Sequence, residues 1–208
     1  MKRAEISRAT VGRAPIYLNY LKNTFHNTDN ISATTLAKRL GLGEVQVRKD
    51  LSALSGAGRP KLGYDIRELI ASLETFIATD KNQEVILVGA GKLGRALLDY
   101  GGFGEYGLEI SAAFDIAVTE PETSPSGKPI YPISSLDDFC RKHTVRIGVI
   151  TVPAASAQDV CDSLLRNGVR GIWNFAPCQL CVPPEIPVQN ENMGVSLAYL
   201  NHRIDDGE

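Results

Sequence analysis

The stretch EVILVGAGKLGRALL, residues 84–98, constrains the fold more than any other part of this 208-residue chain. Its apolar run reads as a strand over 84–89, Gly89-Ala90-Gly91-Lys92-Leu93-Gly94 as a turn, and the spacing beyond as a helix over 92–100. In such a turn the first glycine reverses the chain, the second admits a pyrophosphate to the backbone, and the third brings helix against strand. The first-turn N–H groups of the helix then face the phosphates. A second strand, EISAAFD over 109–115, ends in Asp115, where a carboxylate accepts from ribose hydroxyls. The next residues, Ile116, Ala117, Val118 and Thr119, border the same position and include no arginine for a 2′-phosphate, which favours NAD(H) over NADP(H). Two other readings of the turn stay open here: packing alone, or the nucleotide part of coenzyme A in a related domain.

Strands and helices keep alternating after residue 83. Further strands fit 146–152 and 170–175, with a weaker one at 187–190, and helices fit 134–143 and 154–167. That is the pattern of an α/β fold with a parallel sheet and helical crossovers. Thr119 to Pro132, with four prolines and a glycine, reads as loop. A last helix over 193–204 sets Met193, Leu197, Leu200 and Ile204 on one stripe, which needs something to cover it.

The first 78 residues have a different character. Residues 1–62 carry a balance of +7 and the remainder −9, although the whole chain is only −2. A first helix starting at Pro15 would turn Ile16, Tyr17, Tyr20, Leu21 and Phe25 inward. Ser32 caps a second helix that Gly41 ends, and a third over 43–54 buries Val47, Leu51 and Leu54. Gly56, Gly58, Pro60 and Gly63 then break the chain into a wing, and an amphipathic helix follows over 65–78. This is the winged helix-turn-helix layout, with its helix-turn-helix region at about Ala14 to Ala53. Helix three directs Gln46, Arg48, Lys49 and Ser52 outward, and Arg59 and Lys61 lie in the wing. Those side chains suit base edges and phosphates of double-stranded DNA. They could also be solvated charges on an ordinary helical domain, but the +7 excess argues against that. The expected division is 1–80 for the DNA-binding domain and linker helix, 81–190 for the dinucleotide-binding domain and 191–208 for a C-terminal dimerisation helix.

The composition excludes several classes. No run approaches 18 apolar residues and the N-terminus lacks a secretory pattern, so the expectation is a cytoplasmic protein without a membrane span. Cys178 and Cys181 form a C-x-x-C, but Val182-Pro183-Pro184 follows where a thioredoxin-like site needs a helix, and Cys140 and Cys161 stand alone. No metal site is expected. His26, His143 and His202 are poorly placed for hydride-transfer chemistry, and little chain remains for a substrate domain, so binding without turnover is the simpler reading. The rivals are a small NAD-dependent oxidoreductase and a coenzyme A-binding module, each with a basic N-terminal domain.

The segments ISRATVGRAPIYLNYL (6–21), VQVRKDLSAL (45–54), LGYDI (62–66), VILVGAGKLGRALLDYGGF (85–103), AAFD (112–115), VITVPA (149–154) and GIWNFAP (171–177) together resemble the Rex family of redox-sensing transcriptional repressors. The resemblance implies a winged-helix domain joined to a Rossmann domain, and a homodimer with exchanged C-terminal helices. It implies operator DNA as partner and NADH as the ligand that releases it. It also places Tyr100 and Phe103 near the nicotinamide end, and Thr151, Val152, Pro153 and Asn174 at the carboxyl ends of later strands. Asn19 and Asn192 stand where many relatives carry an arginine and an aspartate that couple ligand binding to domain movement. Ala53-Leu54-Ser55 stands where many carry Tyr-Phe-Gly.

Overall fold

The computed structural model describes residues 6–24, 30–77 and 84–205, and the chain divides into two units, Met1–Lys81 and Asn82–Glu208. In unit 1, helix α1 (Arg8–Thr24) starts at Ser7, whose hydroxyl accepts from the Thr10 N–H at 3.1 Å. Pro15 therefore lies inside the helix, which corrects the expected start. The preceding RATVGRA has no apolar stripe to signal it, and the proline costs the helix one backbone N–H. The inward face is Ala14, Tyr17, Leu18 and Leu21; Ile16 is 49% exposed, and Phe25 and His26 lie outside the described residues. Helix α2 (Ala33–Leu40) is capped by the Ser32 hydroxyl, which accepts from Thr35 N–H at 3.0 Å, and closes at Gly41. Helix α3 (Glu44–Ser55) buries Val47 and Leu51, with Leu54 half-buried. Helix α4 (Ile66–Ile77) buries Ile66, Leu69 and Leu73 in the same core.

The wing is small. Strands β1 (Asn30–Ile31) and β2 (Tyr64–Asp65) pair antiparallel, and ahead of β2 the backbones of Arg59 and Gly63 exchange hydrogen bonds of 2.7 and 2.9 Å. Lys61 sits at the tip of that turn with φ of 66°.

Unit 2 is built on a sheet of β3 (Glu84–Val88), β4 (Glu109–Asp115), β5 (Glu122–Thr123), β6 (Pro129–Pro132), β7 (Val145–Ile150), β8 (Gly171–Asn174) and β9 (Val188–Asn190). Their spatial order is β5-β6-β4-β3-β7-β8-β9, with every neighbouring pair parallel except β5 with β6. Numbering the six parallel strands along the chain gives the order 3-2-1-4-5-6 of the doubly wound dinucleotide fold. Helices α5 (Lys92–Asp99), α6 (Leu136–Lys142) and α7 (Ala154–Arg166) accompany the sheet. Strand alternation divides the core: Ile86, Val88, Ala112 and Phe114 pack with Ala157, Cys161 and Leu164 of α7, while Leu87, Ala113 and Val149 pack with Leu98 of α5. Residues 119–132 are not all loop. They contain the β5–β6 hairpin, which the Asp99 carboxylate pins by accepting from Ser124 Oγ at 2.6 Å and Ser126 N–H at 3.1 Å. Helix α8 (Met193–Asp205) ends the unit, and Met193, Leu197, Leu200 and Ile204 are 55–70% exposed.

Candidate functional sites

Strands β3 and β7 lie side by side at the centre of the sheet, so the turns that leave their carboxyl ends meet where the strand order reverses. Gly89 leaves β3 with φ of 106°, and a Cβ there would lie 2.8 Å from the Thr151 carbonyl carbon. The Thr151 hydroxyl closes the gap by donating to Gly89 O at 2.7 Å. Gly94 is fixed more tightly still, since an added Cβ would come within 1.9 Å of Gly89 O. Only glycine permits α5 this close to β3. A Cβ on Gly91 would meet open space, and no side chain caps α5, so its first-turn N–H groups face outward from Gly91, Lys92 and Leu93. Helix α7 likewise starts without a side-chain cap, at Pro153, after half-buried Val152. Two helix N-termini thus flank the switch point, an arrangement suited to an anion.

Beside the turn, a cleft of about 440 Å³ is lined by Ala90, Gly91, Arg95, Asp115 and the 117–122 segment. Asp115 accepts from Ala117 N–H at 2.8 Å, and Ile116 is exposed. Arg95 is a site residue that the sequence reading missed. The residues that follow β4 hold no arginine, and this one comes from α5. Its guanidinium donates to Ala90 O at 2.9 Å and to Glu122 Oε1 at 2.5 Å. NAD(H) is favoured for a different reason: Asp115, Glu120 and Glu122 outnumber one paired arginine in the cleft, which opposes a 2′-phosphate.

On the other side of the turn, Tyr100 is 57% exposed, and its ring meets Phe103 edge-on at 5.0 Å between centroids. Phe103 meets Trp173 at 5.6 Å. Asn174 is fully buried. Its amide donates to Cys178 O at 3.0 Å and Asn190 Oδ1 at 2.9 Å, and its oxygen accepts from Ala176 N–H at 3.0 Å. The side chain is thus committed to the 174–178 loop and to β9, and it shapes the site through that loop. Cys178 is half-buried and Cys181 exposed, and the backbone of Cys181 is held on both sides by Gln158.

In unit 1 the outward side chains of α3 are Gln46, Arg48, Lys49 and Ser52, all exposed. Arg48 pairs with Glu44 one turn earlier, and Arg59 in the wing lies 3.3 Å from Glu68. Behind this face is Asp50, only 1% exposed, which the sequence reading passed over. It accepts from Thr10 Oγ1 at 2.9 Å, Arg13 Nε at 2.6 Å, Tyr17 Oη at 2.6 Å and Gln46 Nε2 at 2.9 Å. Burial alone would raise the Asp50 carboxyl, but the four donors outweigh it and hold it down at about 2. Burial and the Asp50 bond push the Tyr17 hydroxyl up to about 12.

Residues 5–52 match the family model "Putative DNA-binding protein N-terminus", and residues 80–178 match "CoA binding domain". The redox-sensing transcriptional repressor Rex of Clostridium kluyveri is 36% identical over the whole chain and 99% of its own length. The chain belongs to the Rex family. The Rex of Porphyromonas gingivalis is 34% identical over 96% of this chain and 92% of its own. Among solved structures, the repressor RSP in complex with β-NAD+ and operator DNA superposes with a TM-score of 0.86 at 30% identity, covering 97% of this chain and 94% of that one. RSP in complex with β-NADH gives 0.86 at 29%, covering 98% and 96%. The Rex architecture of an N-terminal DNA-binding domain and a C-terminal Rossmann-type domain is the one found here. No helix among the described residues is long and apolar enough to cross a membrane.

Proposed function

We propose that this chain is a cytoplasmic, homodimeric repressor that binds palindromic operator DNA and leaves it when NADH binds. The observation that carries the reading is the full-length likeness to Rex repressors, one of them solved with both operator DNA and NAD+. Within it, α3 with Gln46, Arg48, Lys49 and Ser52 enters the major groove, while Arg59 and Lys61 reach the adjacent backbone. The residues of unit 2 fit a dinucleotide. The Gly89–Gly94 turn and the uncapped start of α5 receive the pyrophosphate, Asp115 the adenosine ribose, and Tyr100, Phe103, Thr151, Val152 and Pro153 border the nicotinamide side. The exposed stripe of α8 packs against the second subunit. The cofactor acts as a ligand whose oxidation state is read, and no reaction step is assigned to the protein.

A gel-shift series tests this: a palindromic operator titrated with NADH should be released, and with NAD+ retained. Equal mobility under both would overturn the reading. The coenzyme A family model favours one alternative, a coenzyme A-binding module. Displacement of bound NADH by coenzyme A in a fluorescence titration would support that alternative.

A further inference from the structure

The hydrogen-bonding capacity of Gln46 is divided before any partner arrives. A carboxylate only accepts, so the Gln46 atom 2.9 Å from Asp50 Oδ1 must be the amide nitrogen, and the carbonyl oxygen points the other way. Asp50 cannot release its grip easily: it is buried, ionised, and anchored to α1 by Thr10, Arg13 and Tyr17. A free glutamine amide has two N–H groups and one oxygen and can turn over to suit either an acceptor-rich or a mixed base edge. With one N–H held by Asp50, exposed Gln46 has one donor and one acceptor left for a partner.

That pattern has one match among the purines. In the major groove adenine offers the N6 amino group as donor and N7 as acceptor, whereas guanine offers two acceptors, N7 and O6. We propose that Asp50 is a positioning residue for specificity, locking Gln46 as a reader of adenine and against guanine. The proposal rests on the DNA-reading function assigned to α3.

The test begins by selecting operators from randomised duplex DNA with the wild-type protein and with Gln46→Met, which keeps the side-chain length without the amide. Wild type should select adenine at one position per half-site, and Gln46→Met should lose that preference while keeping the others. In the selected operator, replacing that adenine by purine, which lacks the amino group, or by 7-deazaadenine, which lacks N7, should each weaken wild-type binding roughly fivefold to tenfold. Neither change should affect Gln46→Met. Guanine at the Gln46-dependent position, or full affinity for both modified operators, overturns the proposal. Asp50→Asn places an amide where the carboxylate was and frees Gln46 to turn over, so adenine should lose its advantage over guanine. An unchanged preference in folded Asp50→Asn also overturns it; should that variant fail to fold, the modified operators decide alone. A wild-type protein that selects no sequence at all would instead refute the DNA-reading function itself, a separate result.

Discussion

Asp50 and Glu122 show how much a carboxylate's surroundings decide. Asp50 receives five hydrogen bonds from four side chains, and its folded pKa of about 2 lies below the ordinary 3.8. A group with a depressed folded pKa adds stability that is fully present above about pH 4 and is lost as the pH falls toward 2. For a shift of this size that is about 2 kcal/mol. Thermal melts of unit 1 should therefore weaken across that window. Asp50→Ala should remove this share of the acid sensitivity and, by leaving the Arg13 charge without its partner, cost about 3 kcal/mol in chemical denaturation. Glu122 acts by neutralising Arg95. Glu122→Gln should free that guanidinium for a 2′-phosphate and raise NADPH affinity roughly tenfold relative to NADH, as a fluorescence titration would register. Asp50 and Arg95 were not legible in the sequence. Asp50 looks like one more charge on a basic helix until Thr10, Arg13 and Tyr17 are folded over it, and Arg95 reaches the cleft from the helix preceding Asp115.

At the scale of elements, legibility followed local signals. Helix α2 is bounded by the two residues that announce it, Ser32 and Gly41, and β3, β4 and β7 are apolar runs whose ends the turn chemistry marks. The dinucleotide turn was readable from its glycine spacing, and the structure gives Gly89 and Gly94 their reasons: an added Cβ would lie 2.8 Å from the Thr151 carbonyl carbon at Gly89 and 1.9 Å from Gly89 O at Gly94. Two elements had no such signal. The first half of α1 carries no continuous apolar stripe, and its cap is a serine eight residues before the proline that drew attention. Strand β6 has a proline at each end and only four residues, so its place beside β4 is set by tertiary pairing and by the Asp99 pin. Helix α8 was readable as an apolar stripe, and in unit 2 that stripe is exposed along its length. If the proposed homodimer forms through this stripe, Leu197→Asp should turn it into a monomer in sedimentation velocity without changing the circular dichroism of the protein. A variant that remained a dimer would place the subunit interface elsewhere.

For the whole molecule, the two sites belong to different units, and the proposed function requires them to be separable and yet coupled. Lys49→Ala removes an exposed cation of the helix proposed to face DNA, in unit 1. It should weaken operator binding across all sequences, reduce the slope of log affinity against log salt by about 1, and leave NADH affinity unchanged. Asp115→Ala should do the reverse, binding operator like wild type in the absence of ligand but holding it at NADH concentrations that release wild type. Equal loss of both functions in either variant would count against two sites. The coupling also has a magnitude. Moving the population from 1:99 to 99:1 takes roughly 10⁴-fold differential affinity, about 5.5 kcal/mol, which two ligands per dimer would share. Here Asn192 uses its side chain to cap α8, accepting from Val195 N–H at 3.0 Å, and Asn19 accepts from Asn23 within α1. Neither carries the charge that the family resemblance leads one to expect at these positions. If such a charged pair supplies much of the discrimination in the family, this protein should release operator over a broader and higher range of NADH. Asn19→Arg combined with Asn192→Asp should then sharpen the response and shift it to lower concentration in the same gel-shift titration. An unaltered titration curve would locate the coupling in other contacts.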